Sequence, residues 1–161
     1  MGRLFCLLLI DTILKEKEPE KPAEEAGESG YNIRGLNLLL AEDNDLNAEI
    51  AELLLTDAGA KVTIDGDGKQ AVDRFTNDPP GTYDAILMDI MMPVMDGLTA
   101  TETIRAMERP DARTIPIIAM TANAFEEDAK KCLAAGMNAH LAKPLDIEKV
   151  IATVARFVNR S

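Results

Sequence analysis

The amino-acid sequence predicts an α/β fold in which a parallel sheet is covered by helices on both faces. Five short apolar runs alternate with five helix-forming segments, and the runs begin about 20 to 30 residues apart. Most of these runs are continuously apolar, as expected for strands that are buried on both sides. Polar residues follow several runs, and right-handed crossovers place the carboxyl ends of all the strands at one edge of the sheet.

The first strand is predicted over residues 36–41, and the first helix follows the loop EDNDLN and ends at Gly59. Glycine is common where a helix stops, because it adopts a left-handed conformation without steric cost. The large apolar residues of this helix recur at helical spacing and predict one apolar face: Leu46, Ile50, Leu53, Leu54 and Ala58.

The other four strand–helix units follow in the same order. The predicted strands cover 61–64, 85–89, 115–120 and 139–142, and the predicted helices cover 68–75, 98–107, the segment ending at Gly136, and 147–158. In the fourth helix, Cys132 is expected to be a buried, inert thiol on an inward stripe with Phe125, Ala129, Leu133 and Gly136. Cys132 and Cys6 do not indicate a disulfide framework or a zinc site, and a reducing compartment fits best.

Residues 1–35 are predicted to lie outside the domain, which takes residues 36–161. The apolar run from Leu4 to Ile10 is too short to span a bilayer, and no signal-peptide cleavage site follows it closely. The next segment, KEKEPEKPAEEAGESG, has the Glu, Lys and Pro content of a linker. We interpret residues 1–35 as an upstream remnant joined to one domain by a linker.

The chain is strongly acidic, with a net charge of -11 that comes mostly from the predicted domain. Residues 1–35 carry five basic and seven acidic groups, whereas residues 36–161 carry 12 and 21. A domain this acidic repels phosphate backbones, so direct binding of nucleic acid is not expected. A cluster of carboxylates that holds a cation would also be consistent with this charge.

The segment YDAILMDIMMPVMDG places Asp89 where a buried strand opens into a loop. Met92-Pro93 and Asp96-Gly97 are loop-forming pairs. In open α/β sheets, ligands bind at the carboxyl ends of the strands, which is where Asp89 is predicted to lie. On this segment alone, the aspartate is explained equally well as a turn former and as a functional group.

Five polar side chains from separate loops are predicted to converge at this edge of the sheet: Glu42, Asp43, Asp89, Thr121 and Lys143. Three close carboxylates repel one another unless a cation joins them, and Mg²⁺ prefers hard oxygen ligands of this kind. A carboxylate can attack phosphorus to form an acyl phosphate, while a metal, a hydroxyl and a lysine neutralise the transferring oxygens. The alternative for Lys143 is a structural salt bridge to Asp89 without chemistry.

Residues 36–158 resemble a response-regulator receiver domain. The resemblance is carried by LLLAEDN, YDAILMDIMMPVMDG, IPIIAMTA and HLAKPLD, in that order. It implies a flavodoxin-like (βα)5 fold, a doubly wound parallel sheet of strand order 2-1-3-4-5, with phosphorylation at Asp89. It also implies four ligands for Mg²⁺: Glu42, Asp43, Asp89 and the backbone carbonyl of Met91. Thr121 and Lys143 would contact the phosphoryl group, and the Lys143-Pro144 bond would be cis.

One position departs from the commonest receiver pattern, in which Tyr or Phe lies three residues before the lysine. His140 occupies that position here. Most lone histidines are packed or half-exposed side chains, and that alternative stays open. The resemblance implies that His140 acts as the switch residue with Thr121, biasing the face formed by the fourth strand, fourth helix and fifth strand. As an imidazole, it would also make the switch sensitive to pH.

Longer strings, such as MPVMDGLTAT and IPIIAMTANAFEEDAKKCLAAGMNAHLAKPL, are similar to receivers attached to hybrid sensor histidine kinases. The implied donor in this two-component phosphorelay is a phosphohistidine on a histidine kinase or a histidine phosphotransfer domain. The donor is expected to dock near the start of the first helix, at Leu46, Asn47 and Ile50. We expect a cytoplasmic monomer or weak dimer without direct membrane contact, and no DNA-binding output domain after residue 161.

The sequence is also compatible with other functions. A receiver catalyses its own phosphorylation and dephosphorylation, and whether the parent protein is a histidine kinase or a stand-alone receiver stays open. A phosphohydrolase with an aspartate nucleophile would need a second aspartate two residues later, where this chain has Met91. A phosphorylation-independent interaction module would be expected to have a degenerate site, whereas all five site residues are present.

Overall fold

A five-stranded parallel sheet with helices on both faces forms the fold, and the computed structural model describes it for residues 32–122 and 126–158. The strands are β1 (Asn37–Ala41), β2 (Lys61–Asp65), β3 (Ala85–Asp89), β4 (Ile117–Thr121) and β5 (Ala139–Ala142). The helices are α1 (Asp45–Asp57), α2 (Gly68–Asn77), α3 (Gly97–Arg105), α4 (Glu126–Ala135) and α5 (Ile147–Val158). The strand order is β2-β1-β3-β4-β5, which confirms the predicted doubly wound fold.

The register of the strands aligns their carboxyl ends at one edge of the sheet. Ala41 of β1 lies beside Met88 of β3, and Thr121 of β4 lies beside Ala142 of β5. All neighbouring pairs run in parallel. The loops that follow β1, β3, β4 and β5 therefore meet at the same level, as expected for right-handed crossovers.

Each central strand is buried on both faces, which accounts for the continuous apolar runs of the sequence. In β3, Ile86 and Met88 pack into the cluster that includes residues of α2 and α3, whereas Ala85 and Leu87 pack into the cluster that includes residues of α1 and α5. Because successive side chains of a strand point to opposite faces, both faces need apolar residues.

The buried face of α1 differs from the one that the sequence indicated. The side chains of Leu46 and Leu53 are each 64% exposed, and Ile50 is 47% exposed. The helix packs against the sheet through smaller residues instead, namely Ala48, Ala51 and Leu55. Two alanines let the helix axis lie close to the strands. Of the predicted apolar face, Leu46, Ile50 and Leu53 face solvent, whereas Ala58 packs against the core.

The fourth helix buries Cys132, which is 1% exposed, so its predicted burial is confirmed. Leu133, predicted for the same inward stripe, is 59% exposed, because a residue one step along a helix is rotated about 100° away. Phe125 of that predicted stripe lies outside the described residues.

The N-terminal predictions also concern residues outside those described, namely Cys6, the apolar run from Leu4 to Ile10 and the linker. Ile33, three residues before the predicted domain boundary, is fully buried in the core of the sheet. Within 32–122 and 126–158, every helix is too short or too polar to cross a bilayer.

Side-chain caps at the starts of α1, α2 and α3 hold the preceding loops in place. The side chain of Asn44 accepts a hydrogen bond from the amide of Asn47, and Asp67 accepts one from Gln70. Asp96 caps α3 in the same way, 2.7 Å from the amide of Thr99. Each cap satisfies one of the amides that a helix start leaves free. The loops after β1 and β3, which carry the polar residues of the sheet edge, are thereby fixed at their far ends.

Candidate functional site

Three carboxylates meet at the carboxyl end of the sheet. One oxygen from each of Glu42, Asp43 and Asp89 lies within 4.8 Å of the others. Glu42 and Asp89 are each 4% exposed, whereas Asp43 is exposed. The first two residues follow β1, and Asp89 ends β3, so pairing of these two strands is what brings them together. The cluster is open to solvent on the side of Asp43.

Lys143 bridges the two buried carboxylates. Its Nζ atom lies 2.9 Å from Oε1 of Glu42 and 3.0 Å from Oδ2 of Asp89. The amide of Lys143 donates a hydrogen bond to the carbonyl of Thr121, and the Lys143-Pro144 bond is cis, the isomer that the resemblance implies. One lysine balances three carboxylates, which leaves an excess of negative charge that suits a divalent cation.

The environment of Asp89 disfavours its charged form. Burial raises the pKa of Asp89 to about 6; the hydrogen bond from Lys143 opposes this rise, and the charge of Glu42 adds to it. Burial alone would lower the pKa of Lys143, but its hydrogen bonds to Glu42 and Asp89 outweigh burial and raise it. At neutral pH the lysine is therefore charged, and Asp89 is largely ionised but close to its titration range.

The loop that follows β3 packs closely against Asp89, the candidate phosphoacceptor. The amide of Met91 donates to Oδ1 of Asp89 at 3.4 Å, and the amide of Gly97 donates to the carbonyl of Ile90 at 2.9 Å. A Cβ atom on Gly97 would lie 2.2 Å from the carbonyl oxygen of Asp89, so a residue without a side chain is needed there. In the sequence, Asp96-Gly97 indicated only a turn, and the close approach of Gly97 to the site could not be predicted from it.

Thr121 and His140 lie on the same face of the sheet. His140 aligns with Ala119, and Thr121 lies two residues beyond Ala119 on β4. Side chains alternate along a strand and cross-strand neighbours share a face, so both side chains project towards the cluster that includes Cys132 of α4. Thr121 is 6% exposed and His140 is half-buried. Their roles as a switch pair stay a prediction.

A cavity of about 340 Å³ opens beside the carboxylates, between α1 and the loop after β5. Its polar side is formed by Glu42, Asn47 and Lys143, and the rest of its lining is apolar: Ile50, Ala51, Ala122, Pro144 and Leu145. Sequence reasoning named Asn47 and Ile50 but missed Leu145, for which the only signal was its place directly after Pro144. The cavity connects the acidic cluster to the exposed stripe of α1.

Residues 38–155 match the family model of the response regulator receiver domain. This chain belongs to the receiver-domain family. The phosphohydrolase alternative therefore has no support, and the fold and the acidic edge of the sheet are those of a two-component receiver.

Two similar proteins are histidine kinases. The hybrid signal transduction histidine kinase I of Dictyostelium discoideum is 42% identical over 120 residues, and the peroxide stress-activated histidine kinase mak1 of Schizosaccharomyces pombe is 36% identical over 137 residues. These matches cover 73% and 81% of the chain. The matched region is only 7% and 8% of the two kinases, so the chain corresponds to a small part of either one.

A solved receiver domain shows the same fold. The receiver domain of a sensor histidine kinase from Pseudomonas aeruginosa is 44% identical and superposes with a TM-score of 0.69. The match covers 77% of this chain and 98% of that domain, which holds a magnesium ion in its active site cleft. The receiver domain described here is thus related to receivers of sensor and hybrid histidine kinases in two-component signalling.

Proposed function

We propose that this receiver accepts a phosphoryl group on Asp89 from a phosphohistidine and binds Mg²⁺ while doing so. The observation that carries the proposal is the convergence of Glu42, Asp43 and Asp89 within 4.8 Å, with Lys143 bridging two of them. Such a group can hold a hard divalent cation and, at the same time, present a carboxylate to phosphorus. The related receiver with magnesium in its cleft supports the choice of metal.

Four groups would hold the metal: the carboxylates of Glu42, Asp43 and Asp89, and the backbone carbonyl of Met91. When bound, Mg²⁺ neutralises charge on the phosphoryl oxygens. An oxygen of Asp89 attacks phosphorus, the bond between phosphorus and the donor imidazole breaks, and the imidazole nitrogen keeps the electron pair. Lys143 and the hydroxyl of Thr121 then contact the phosphoryl oxygens. The chain itself thereby catalyses its phosphorylation and, with water as the attacking group, its dephosphorylation.

The donor is proposed to be a histidine kinase or a histidine phosphotransfer domain that docks on α1. The exposed stripe of Leu46, Ile50 and Leu53 lies next to the cavity beside Glu42 and Lys143. An apolar surface at the entrance of a charged site is suited to a partner that must present its histidine there. We further propose a cytoplasmic hybrid histidine kinase as the parent protein, in keeping with the related kinases.

Intact-mass measurement after incubation with acetyl phosphate and Mg²⁺ tests the phosphorylation site. We expect one phosphoryl adduct on the wild-type chain, none on Asp89→Asn, and none when EDTA removes the metal. Asp96→Asn is the matched control, because it changes an aspartate of the same loop that caps α3 rather than one of the acidic cluster. An adduct on Asp89→Asn, or an unmodified wild-type chain, would refute the proposal.

His140 is proposed to move when Thr121 moves and thereby to change the outer face of α4 and β5. The shared sheet face of the two side chains supports this, since a movement of Thr121 towards the phosphoryl group would free space beside β5. We expect His140→Ala to leave the rate of phosphorylation unchanged and to reduce the effect of phosphorylation on donor affinity, with His140→Tyr retaining that effect. If both variants keep the wild-type donor affinity and its dependence on phosphorylation, the switch role of His140 is refuted.

A further inference from the structure

An ion pair between a buried carboxylate and a half-exposed guanidinium lies one strand away from the acidic cluster. Asp65, the last residue of β2, is 4% exposed and faces Arg74 of α2. Nε of Arg74 lies 2.8 Å from Oδ2 of Asp65, and Nη2 lies 2.9 Å from Oδ1. Two parallel hydrogen bonds of this kind fix orientation as well as distance, so α2 holds the end of β2 in one position.

The backbone of Asp65 in turn holds the backbone of Glu42. The amide of Glu42 donates a hydrogen bond of 3.0 Å to the carbonyl of Asp65, directly beyond the aligned pair of Ala41 and Asp65. The carboxylate of the same Glu42 contacts Lys143 and belongs to the acidic cluster. The side chain of Asp65 is thus connected to a proposed metal ligand, Glu42, through the backbone hydrogen bond between the two residues.

This end of β2 needs an anchor because β2 is an edge strand. It pairs only with β1 among the described strands, so its last residue has backbone partners on one side only. Ends of edge strands open more readily than central strands. Without the two hydrogen bonds from the guanidinium of Arg74, the carbonyl of Asp65 and the Glu42 amide bonded to it would move more freely.

We propose that the Asp65–Arg74 pair is a positioning device for the Mg²⁺ site, acting through the backbone hydrogen bond between Asp65 and Glu42. The inference rests on the proposed function, because that function supplies the metal. The pair does not touch the metal or the phosphoryl group. It sets the position of Glu42 before the cation arrives, so its loss is expected to weaken metal binding rather than to abolish the chemistry.

Replacing Arg74 distinguishes a role in positioning Glu42 from a purely electrostatic effect on Mg²⁺ affinity. In Arg74→Met, a positive charge disappears and Asp65 stays as an unpaired carboxylate near the acidic cluster. Added negative charge alone would tighten Mg²⁺ binding or leave it unchanged. Loss of the correct position of Glu42 would weaken Mg²⁺ binding. The sign of the change in affinity therefore distinguishes the two explanations.

The experiment is calorimetric titration of Mg²⁺ into the full chain at fixed ionic strength. We expect Arg74→Met to raise the Kd for Mg²⁺ on the order of tenfold, the scale found when residues that orient metal ligands are removed. Arg74→Lys keeps the positive charge and the aliphatic part of the side chain but cannot form both parallel hydrogen bonds. We therefore expect a smaller rise in the Kd for Mg²⁺. Lys69→Met is the matched control: it removes one positive charge from an exposed pair with Asp73 on the same helix and should stay within about twofold of wild type.

Hydrogen exchange gives a second readout that needs no metal. We expect the amide of Glu42 to exchange faster in Arg74→Met and Arg74→Lys than in Lys69→Met. Phosphorylation by acetyl phosphate should return to the wild-type rate at saturating Mg²⁺. If both Arg74 variants match wild type in Kd, or bind Mg²⁺ more tightly, the positioning role is refuted. Failure of the wild-type chain itself to bind Mg²⁺ would instead refute the metal site of the proposed function.

Discussion

Replacing Lys143 with methionine is expected to destabilise the metal-free receiver by about 3 kcal/mol at pH 8. Lys143 is the cation that contacts both Glu42 and Asp89, each of which is almost fully buried. Removing one partner of a buried pair leaves the other charge uncompensated, and here two carboxylates lose the same partner. Methionine keeps most of the unbranched side-chain volume, so the loss reports on charge rather than on packing.

Urea denaturation followed by circular dichroism, with and without Mg²⁺, measures this loss. The effect should shrink in saturating Mg²⁺, because the metal replaces the missing positive charge and binds the folded chain alone. It should also shrink below pH 6, where Asp89 takes up a proton. Lys149→Met, which removes an exposed lysine of α5, is the control and should change stability by less than about 0.5 kcal/mol. Equal losses for the two variants at pH 8 would contradict the electrostatic role of Lys143.

The fold could be predicted because local signals and topology agree. Each central strand is a short apolar run with a polar residue at or directly after its end, and only one edge of a parallel sheet receives the carboxyl ends. The shared edge predicts that Glu42, Asp43, Asp89 and Lys143 lie together, and the distances agree with this prediction. Their chemical roles came from the family resemblance rather than from spacing.

Two features could not be read from the sequence. Periodicity found an apolar stripe on α1, but it did not show that Ala48 and Ala51 allow close packing and leave Leu46 facing solvent. The pair of Asp65 and Arg74 joins a strand end to a helix nine residues later, a separation that matches neither the helical nor the strand period. Both features depend on how elements pack against one another, and neither is a property of one element.

Asp89→Asn is expected to stabilise the metal-free receiver at pH 8 by about 2–3 kcal/mol, although it removes the phosphoacceptor. Burial raises the pKa of Asp89 from 3.8 to about 6. A group whose folded-state pKa is raised contributes stability that is fully present below its unfolded pKa and is lost as pH rises through the folded value. The wild-type domain should therefore lose this contribution between about pH 4 and pH 6, whereas the asparagine variant has no such proton to lose.

Denaturation midpoints of both chains, measured from pH 4.5 to 8 in EDTA, give the comparison. We expect the two stability curves to approach each other at the acidic end and to separate steadily until pH rises above 6. Asp73→Asn is the matched control, since it makes the same chemical change at an exposed carboxylate of α2 and should follow the wild-type curve. Parallel curves for wild type and Asp89→Asn would mean that burial does not raise the pKa of Asp89. With Mg²⁺ present, the difference in stability between wild type and Asp89→Asn should become smaller, because the cation stabilises the ionised carboxylate and the variant has lost that ligand.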